Sequence, residues 1–260
     1  PGDLWRASRT PEGPGTLHLF ARGGRLGARA FGPGGAWLLR RAPAISGLLD
    51  QPGRFDPRDP RLLRLRPLAR GLRLARTPTL MDALLPTVLG QKVKVYEARR
   101  SWARIARALG APAPGPAPLL LPPEPRRLAR APGWWWASHG VDRPRARTLV
   151  ELARHAGRLQ SAPDRELPGL PLRLPGVGPW TVGHVRLRYL GDPDALILGD
   201  YNLPHVVGRF FTGAARSTDA EMLEHLEPFR GQRARAVRWI KTSGIERARF
   251  GPRTPLRLTP

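Results

Sequence analysis

The first quarter of the chain alternates apolar and polar residues in two short runs. The runs cover residues 16–21 and 25–31, with an Arg-Gly-Gly sequence between them. Strand side chains point to alternate faces and glycine suits a tight turn, so this pattern predicts a β-hairpin. An apolar helix is predicted over about residues 36–49 and a further strand at residues 72–75. Residues 1–76 are therefore expected to form a small α+β domain with an antiparallel sheet.

From residue 77 onward the apolar residues recur at the three- and four-residue spacing of amphipathic helices. Asp142 and Thr218 suit helix N-caps, and Glu221 gives Thr218 the spacing of a capping box. Residues 77–246 are therefore expected to form a helical domain, which a basic irregular tail at residues 247–260 follows. The predicted helices cover about residues 79–91, 94–109, 125–130, 133–138, 142–159, 179–190, 202–211, 218–226 and 231–243.

The sequence Leu-Pro-Gly-Val-Gly-Pro at residues 174–179 predicts a tight hairpin that opens a helix. Gly176 and Gly178 can adopt positive φ without a steric cost, and Pro179 suits the first position of a helix. Backbone N–H groups at the start of a helix favour an anion, so a phosphodiester can bind here, with Thr181 as a further donor. The alternative is an ordinary turn between two helices. The predicted DNA-binding residues of the hairpin are Leu174, Gly176, Val177, Gly178 and Thr181.

The charge of the chain favours a polyanionic partner. Lysine and arginine together number 44 against 20 acidic residues, a net charge of +24. Such an excess is typical of proteins that bind nucleic acid, although a merely basic soluble protein is the alternative. The absence of cysteine excludes disulfides and cysteine-ligated zinc or iron–sulfur centres. With no apolar run long enough for a membrane span and no signal-peptide pattern, we expect a cytoplasmic protein that acts at a bacterial nucleoid.

Asp200 follows Trp180 by 20 residues and stands at the start of the next predicted helix. A carboxylate beside a deoxyribose can stabilise the positive charge that develops at C1′ when a base leaves, and it can orient or deprotonate the attacking water. Helix capping is the alternative for Asp200, and Asp192 and Asp194 are interpreted as turn residues. A basic protein with this carboxylate and a phosphate-binding hairpin is predicted to bind DNA and cut a base from its sugar.

Further motifs are spread over most of the chain. They lie at residues 88–93, 174–185, 191–195, 199–201 and 249–252, and at residues 227–230 with Arg233 and Trp239. Together they resemble the helix-hairpin-helix (HhH-GPD) base-excision DNA glycosylases, and within that superfamily the 3-methyladenine DNA glycosylase II (AlkA-type) branch. The resemblance implies a mostly α fold with a small N-terminal α+β sheet domain.

The resemblance also implies roles for particular residues. It places the catalytic aspartate at Asp200. The strand-cutting members of the superfamily have a lysine at the position that Trp180 occupies here, so a monofunctional hydrolase is expected. No cofactor is expected to be required. A structural monovalent cation, Na⁺ or K⁺, is expected at the backbone carbonyls of Leu172, Leu174 and Val177.

A flipped-out base needs a pocket, and an aromatic pocket attracts a cationic base. The candidate pocket residues are Trp180, His184, Tyr201 and Trp239. For the two tryptophans, a place in the hydrophobic core is the alternative. The methyladenine enzymes have a tyrosine near the position of His184, so this histidine bears on the choice of lesion.

Flipping also leaves a gap in the base stack that a side chain must fill. Gln91 and Lys92 lie at the end of a predicted apolar helix, where the resemblance places this wedge. An ordinary solvated helix end is the alternative. At least one of Trp134, Trp135 and Trp136 is expected to face the surface, because three consecutive tryptophans cannot all point into one core.

The predicted function is a monomeric, monofunctional DNA glycosylase of base excision repair. Its predicted substrates are alkylated purines, such as 3-methyladenine or 7-methylguanine, in double-stranded damaged DNA. Two alternatives remain at the level of the sequence. One is a glycosylase of the same fold that acts on oxidised, deaminated or bulky lesions, and the other is a non-catalytic DNA-binding module.

Overall fold

A three-stranded antiparallel sheet forms the N-terminal part of the computed structural model, which describes residues 3–161 and 174–248. Its strands, in spatial order, are β1 (Leu4–Thr10), β2 (Gly13–Arg22) and β3 (Arg25–Phe31). The register places Arg22 opposite Arg25 across the turn, which confirms the predicted hairpin. Strand β1 is not predicted from the sequence, because its apolar and polar residues do not alternate.

Helix α1 (Gly35–Ile45) covers one face of this sheet. Leu38 of the helix is fully buried with Leu17 and Leu19 of β2 in a small hydrophobic cluster. Pro43 lies inside α1 without ending it. The sheet and α1 together make the small mixed unit that the sequence predicts.

The rest of the described chain is almost entirely helical. The helices are α2 (Pro60–Leu63), α3 (Leu80–Leu89), α4 (Val95–Leu109), α5 (Pro125–Arg130), α6 (Gly133–Ser138), α7 (Arg143–Arg154), α8 (Ala156–Ser161), α9 (Pro179–Val185), α10 (Leu203–Thr212), α11 (Asp219–Leu226) and α12 (Arg233–Thr242). A two-stranded pairing of β4 (Ala111–Pro112) with β5 (Leu120–Leu121) joins α4 to α5. No described helix is long and apolar enough to cross a membrane.

The predicted helices agree with the structure at most positions, and three of them differ. The helix predicted over residues 36–49 ends at Ile45. The helix predicted over residues 142–159 divides into α7 and α8 at His155. The helix predicted over residues 179–190 is α-helical only to Val185 and continues as a π-helical turn over Arg186–Leu190. The predicted caps are confirmed, since Asp142 accepts the Arg145 N–H at 3.0 Å and Thr218 forms a capping box with Glu221.

Two hydrophobic cores hold the helical part together, and α9 lies between them. The first core contains α3, α7, α8 and α9, with Leu84, Val88 and Leu152 fully buried. The second contains α10, α11 and α12. It also includes Phe55 and Leu62, which precede the predicted domain boundary at residue 76. The boundary itself stays a prediction.

A buried ion pair joins the N-terminal part to the last helix. Arg235 of α12 donates to the Asp50 carboxylate at 3.0 Å, and the two side chains are 1% and 6% exposed. The same carboxylate accepts the Leu74 N–H at 2.9 Å. The strand predicted at residues 72–75 is wrong, because this segment is irregular and Leu74 is bonded to a side chain instead of a neighbouring strand.

We predict that Asp50→Ala lowers the free energy of unfolding by about 3–5 kcal/mol, because it leaves the buried Arg235 guanidinium without its counter-ion. Denaturant titration followed by circular dichroism measures this change. Asp56→Ala is the matched control, since Asp56 pairs with Arg66 at the surface, and it should cost less than about 1 kcal/mol. Equal costs for the two variants would contradict the argument.

Candidate active site

The hairpin before α9 is a tight turn with one left-handed residue. The Val177 N–H donates to the Leu174 carbonyl at 3.1 Å, and Gly176 has φ +80°. Gly178 has φ −100° and ψ −173°, which is extended backbone, so of the two glycines only Gly176 adopts the positive φ that both can take. Pro179 starts the helix, as the sequence predicts.

The hairpin packs closely against α7, and this contact explains why residue 176 is glycine. A Cβ atom on Gly176 would lie 1.9 Å from Thr148 Oγ1, whereas a Cβ on Gly178 would meet nothing within 4 Å. Gly176 is therefore required for packing, while Gly178 leaves an open approach to the start of α9. The first helical bond runs from the Val182 N–H to the Gly178 carbonyl, so helix geometry leaves the preceding N–H groups free for an anion.

Gln91 connects the end of α3 to the hairpin. Its Nε2 donates to the Gly176 carbonyl at 2.8 Å and to Thr181 Oγ1 at 3.0 Å. Thr181 is only 1% exposed and its hydroxyl oxygen accepts from Gln91, so its backbone N–H is the donor that stays a prediction for the phosphate contact. The amide of Gln91 is also engaged within the protein, which leaves Lys92 as the exposed member of the predicted wedge.

Lys92 stands in an unusual backbone conformation. Its φ is +55°, and no other non-glycine residue in residues 3–161 or 174–248 has positive φ. This conformation costs about 1–2 kcal/mol for a residue with a Cβ atom. Such strain persists where the surrounding structure enforces it, often at functional positions.

Asp200 forms hydrogen bonds in two directions. Its Oδ2 accepts from Trp180 Nε1 at 3.0 Å, and its Oδ1 accepts the N–H groups of Asn202 and Leu203 at 2.9 and 2.8 Å. The carboxylate therefore caps the start of α10 and also faces the hairpin helix. Asp200 therefore does cap a helix, which was the alternative interpretation, and it also lies beside the hairpin.

The position of Asp200 beside α9 depends on a second glycine, which sequence reasoning missed. Gly183 is buried in α9, and a Cβ atom there would lie 2.3 Å from the Leu196 carbonyl. The segment that leads to Asp200 can thus lie directly against the helix. The signal was present in the sequence, because glycine inside a helix is unfavourable unless another backbone comes close.

The surroundings of Asp200 keep its carboxylate ionised. Burial by itself would raise the pKa of Asp200, but the hydrogen bonds from Trp180, Asn202 and Leu203 and the positive charge of Lys241 lower it more, and the net pKa lies below its ordinary value. A group that is negatively charged at neutral pH can stabilise a developing positive charge at this position.

His184 lies one helical turn after Trp180, and their rings are 4.3 Å apart in an edge-to-face arrangement. Both ring nitrogens of His184 are buried and have no hydrogen-bond partner. Burial, reinforced by the charge of Arg188, lowers the pKa of His184 to about 4. The imidazole is therefore neutral at physiological pH, and both of its nitrogens are buried without a hydrogen-bond partner.

The other two predicted pocket residues lie elsewhere. Trp239 is 8% exposed, and its ring packs edge-to-face on Phe55 at 4.9 Å in the second core. Trp239 therefore belongs to the hydrophobic core, which was the alternative interpretation, and its ring is not a wall of the pocket. Tyr201 is 70% exposed, and the Arg247 guanidinium covers its ring at 4.4 Å. Of the four aromatic candidates, the structure brings Trp180 and His184 together with Asp200.

Sequence reasoning also missed three positive side chains beside the site. Lys241 and Arg238 on α12, and Arg188 on the π-helical turn, interact electrostatically with His184. Lys241 interacts with Asp200 as well. The sequence does set Lys241 apart, because it is one of only three lysines among the 44 basic residues of the chain.

The remaining predicted features are only partly within the described residues. Trp134 is 73% exposed and Trp136 is 2% exposed, which confirms that at least one of the three tryptophans faces the surface. Leu172 and the motif at residues 249–252 lie outside the described residues. The described residues contain no group of three or more His, Cys, Asp or Glu side chains that could hold a metal ion.

A separate cavity of about 240 Å³ lies between the sheet and the helices. Its lining includes Trp5, Arg6, Asp82 and Trp102, and none of the candidate site residues. This cavity is therefore distinct from the surroundings of Asp200.

We predict that Gly176→Ala lowers the free energy of unfolding by about 2 kcal/mol or more, because the added methyl group clashes with Thr148 in a left-handed backbone. Gly178→Ala is the matched control and should change stability by less than about 0.5 kcal/mol. Thermal or denaturant unfolding of both variants checks this, and a larger cost at Gly178 would contradict it.

We also predict that His184 makes the fold less stable in acid. Between pH 6.5 and about 4 the unfolded chain binds a proton at this histidine that the native protein does not bind, so stability is lost as pH falls through this window. The loss should reach about 2–3 kcal/mol at pH 4. Unfolding measured across this range should show a flatter pH dependence for His184→Phe, and parallel curves would refute the prediction.

No protein-family model matches the chain. DNA-3-methyladenine glycosylase 2 of Escherichia coli is 27% identical over 167 residues, which are 62% of this chain and 57% of that protein. The chain thus spans little more than half the length of this relative.

Solved structures resemble the whole fold. The 3-methyladenine DNA-glycosylase from Archaeoglobus fulgidus superposes with a TM-score of 0.73 at 18% identity, covering 91% of this chain and 84% of that one. The Clostridium acetobutylicum 8-oxoguanine glycosylase/lyase, in complex with DNA containing 8-oxoG opposite cytosine, superposes with a TM-score of 0.69 at 13% identity, covering 93% and 88%. The chain therefore has the fold of these helix-hairpin-helix DNA glycosylases, and its sequence is similar to that of DNA-3-methyladenine glycosylase 2.

Proposed function

We propose that the chain is a monofunctional DNA glycosylase, which hydrolyses the bond between a damaged base and its deoxyribose in double-stranded DNA. One observation carries the proposal. The Asp200 carboxylate is hydrogen-bonded to Trp180 on the first turn of the hairpin helix, at 3.0 Å. A strand held at the hairpin would thus present a flipped nucleotide to an ionised carboxylate.

Asp200 would act on the sugar. Breaking the N-glycosidic bond leaves positive charge on C1′ and the ring oxygen, as in glycoside hydrolysis. An ionised carboxylate in a partly desolvated site stabilises that charge electrostatically. The same group can orient the attacking water and accept its proton once the water oxygen bonds to C1′.

Water is the proposed nucleophile because Trp180 occupies the place where the resemblance puts the lysine of strand-cutting enzymes. An indole cannot form a Schiff base with C1′, and its N–H is already donated to Asp200. The expected products are therefore a free base and an abasic site in an unbroken strand.

DNA binding would combine the hairpin, the wedge and the overall charge. The open backbone at Gly178 admits a phosphodiester, and the strained backbone at Lys92 presents an exposed side chain at the end of α3. The net charge of +24 attracts the polyanion. We also propose that the protein acts as a monomer in the bacterial cytoplasm.

A monovalent cation at the hairpin is a further part of the proposal. The Leu174 carbonyl accepts one hydrogen bond from the Val177 N–H and keeps a second lone pair, so this carbonyl could still coordinate such an ion. A bound Na⁺ or K⁺ would support the phosphate contact of the turn.

Alkylated purines are the first candidate substrates. The E. coli relative carries 3-methyladenine in its name. The Trp180 ring is an aromatic surface beside Asp200, and a cationic base is attracted to such a ring. These bases also need little help to leave, because their glycosidic bond is already weakened by the positive charge.

We predict that Asp200→Asn lowers the rate of base release by about 100-fold or more while DNA binding is retained. Asparagine keeps an oxygen that can cap α10, so the fold should persist. Single-turnover release from methylated duplex DNA, measured by mass spectrometry, tests the rate, and a gel-shift assay tests binding.

Asp56→Asn, which removes one surface carboxylate, is the control and should leave base release unchanged. Unaltered release by Asp200→Asn would refute the catalytic role. Absence of release by the wild-type protein from a panel of lesions, with DNA binding intact, would favour the non-catalytic module.

A further inference from the structure

The turn between α3 and α4 carries the exposed member of the predicted wedge. Lys92 stands in this turn with an exposed side chain and a φ of +55°. A lysine side chain is long and flexible, so its reach toward a DNA strand depends on what holds the backbone beneath it. The contacts of residues 89–91 with the rest of the protein therefore decide where the wedge can act.

Gln91 holds this turn on the hairpin. Its Nε2 donates to the Gly176 carbonyl at 2.8 Å and to Thr181 Oγ1 at 3.0 Å. A side-chain amide nitrogen has two N–H donors, and both are used here. Insertion of Gln91 itself between DNA bases would break both bonds, so the geometry favours a role for Gln91 within the protein.

Two further contacts fix the same turn. The Arg145 guanidinium, in a residue that is 6% exposed, donates to the Leu89 carbonyl at 2.8 Å. On the other side, a Cβ atom on Gly90 would lie 3.9 Å from the ring of Trp180, whose N–H is bonded to Asp200. The turn is thus fixed relative to the hairpin and to the carboxylate in the free protein.

A fixed turn has a physical advantage for base flipping. The wedge must enter the gap in the base stack at a set distance from the strand that the hairpin would hold. When the turn and the hairpin are already joined, folding has met the entropy cost of ordering them, and binding does not meet it again. A misplacement of about 1 Å in such an arrangement can cost about 100-fold in rate.

Resting on the proposed function, we propose that Gln91 is a positioning residue that sets the Lys92 wedge at the correct distance from the strand held at the hairpin. Gln91 acts through Lys92 and does not enter the DNA. Loss of its amide should leave phosphate binding at the hairpin intact and weaken only the step in which the wedge fills the gap.

The test compares binding to two duplexes that differ at one position. One duplex is intact, and the other has a tetrahydrofuran abasic site, which supplies the gap without any chemistry. Gln91→Met keeps the length of the side chain and removes both donors. It should lower the preference for the abasic duplex by about tenfold, while the affinity for the intact duplex changes by less than about twofold.

Two more variants guard this result. Gln91→Asn keeps an amide but is one methylene shorter, so it cannot reach both acceptors and should behave like Gln91→Met. Gln51→Met removes an exposed glutamine elsewhere and is the matched control, which should change neither affinity. Circular dichroism establishes that each variant is folded.

A double variant shows whether Gln91 acts through the wedge. Lys92→Ala alone should lower the preference for the abasic duplex by about tenfold, and the addition of Gln91→Met should lower it no further, because a wedge that is absent needs no positioning. Independent effects would multiply to about 100-fold and would overturn the proposal.

Other outcomes also decide it. An equal loss of affinity for both duplexes in folded Gln91→Met would show a phosphate contact or a general structural role, and would overturn the proposal. So would a wild-type protein with no preference for the abasic duplex, although release of methylated bases would then keep the glycosylase function. A preference that depends on Gln91, in a protein that releases no base from any lesion, would overturn the proposed function alone.

Discussion

The hydrogen bond between Trp180 and Asp200 is the contact on which the candidate site depends. It joins the first turn of the hairpin helix to the residue that caps α10, across 20 residues of chain. A carboxylate that only capped a helix could lie anywhere on the surface. Because one of its oxygens is held by the indole, the carboxylate lies beside the same backbone that would hold the DNA strand.

Close backbone packing makes this arrangement possible. Gly176 lets the hairpin lie against Thr148, and Gly183 lets α9 lie against the carbonyl of Leu196. Gln91 then ties the end of α3 to the hairpin through two hydrogen bonds. The predicted wedge, the predicted phosphate-binding turn and the carboxylate therefore form one connected unit.

The positive charge of the chain has more than one use. Arg235 forms a buried pair with Asp50 and joins the N-terminal part to α12. On the same helix, Lys241 interacts electrostatically with Asp200, and Arg238 interacts with Lys241. A total of +24 favours a polyanionic partner, but the total does not distinguish charges in buried ion pairs from charges at the surface.

Local features of the chain could be predicted from the sequence alone. Helix periodicity, the caps at Asp142 and Thr218, the hairpin before α9 and the position of Asp200 after it each depend on neighbours within a few residues. Only the tertiary structure decided that Thr181 is buried against Gln91, that Trp239 belongs to the core and that Lys241 lies near Asp200. These outcomes depend on which helices pack together, and residues far apart in the chain carry no periodic signal of that packing.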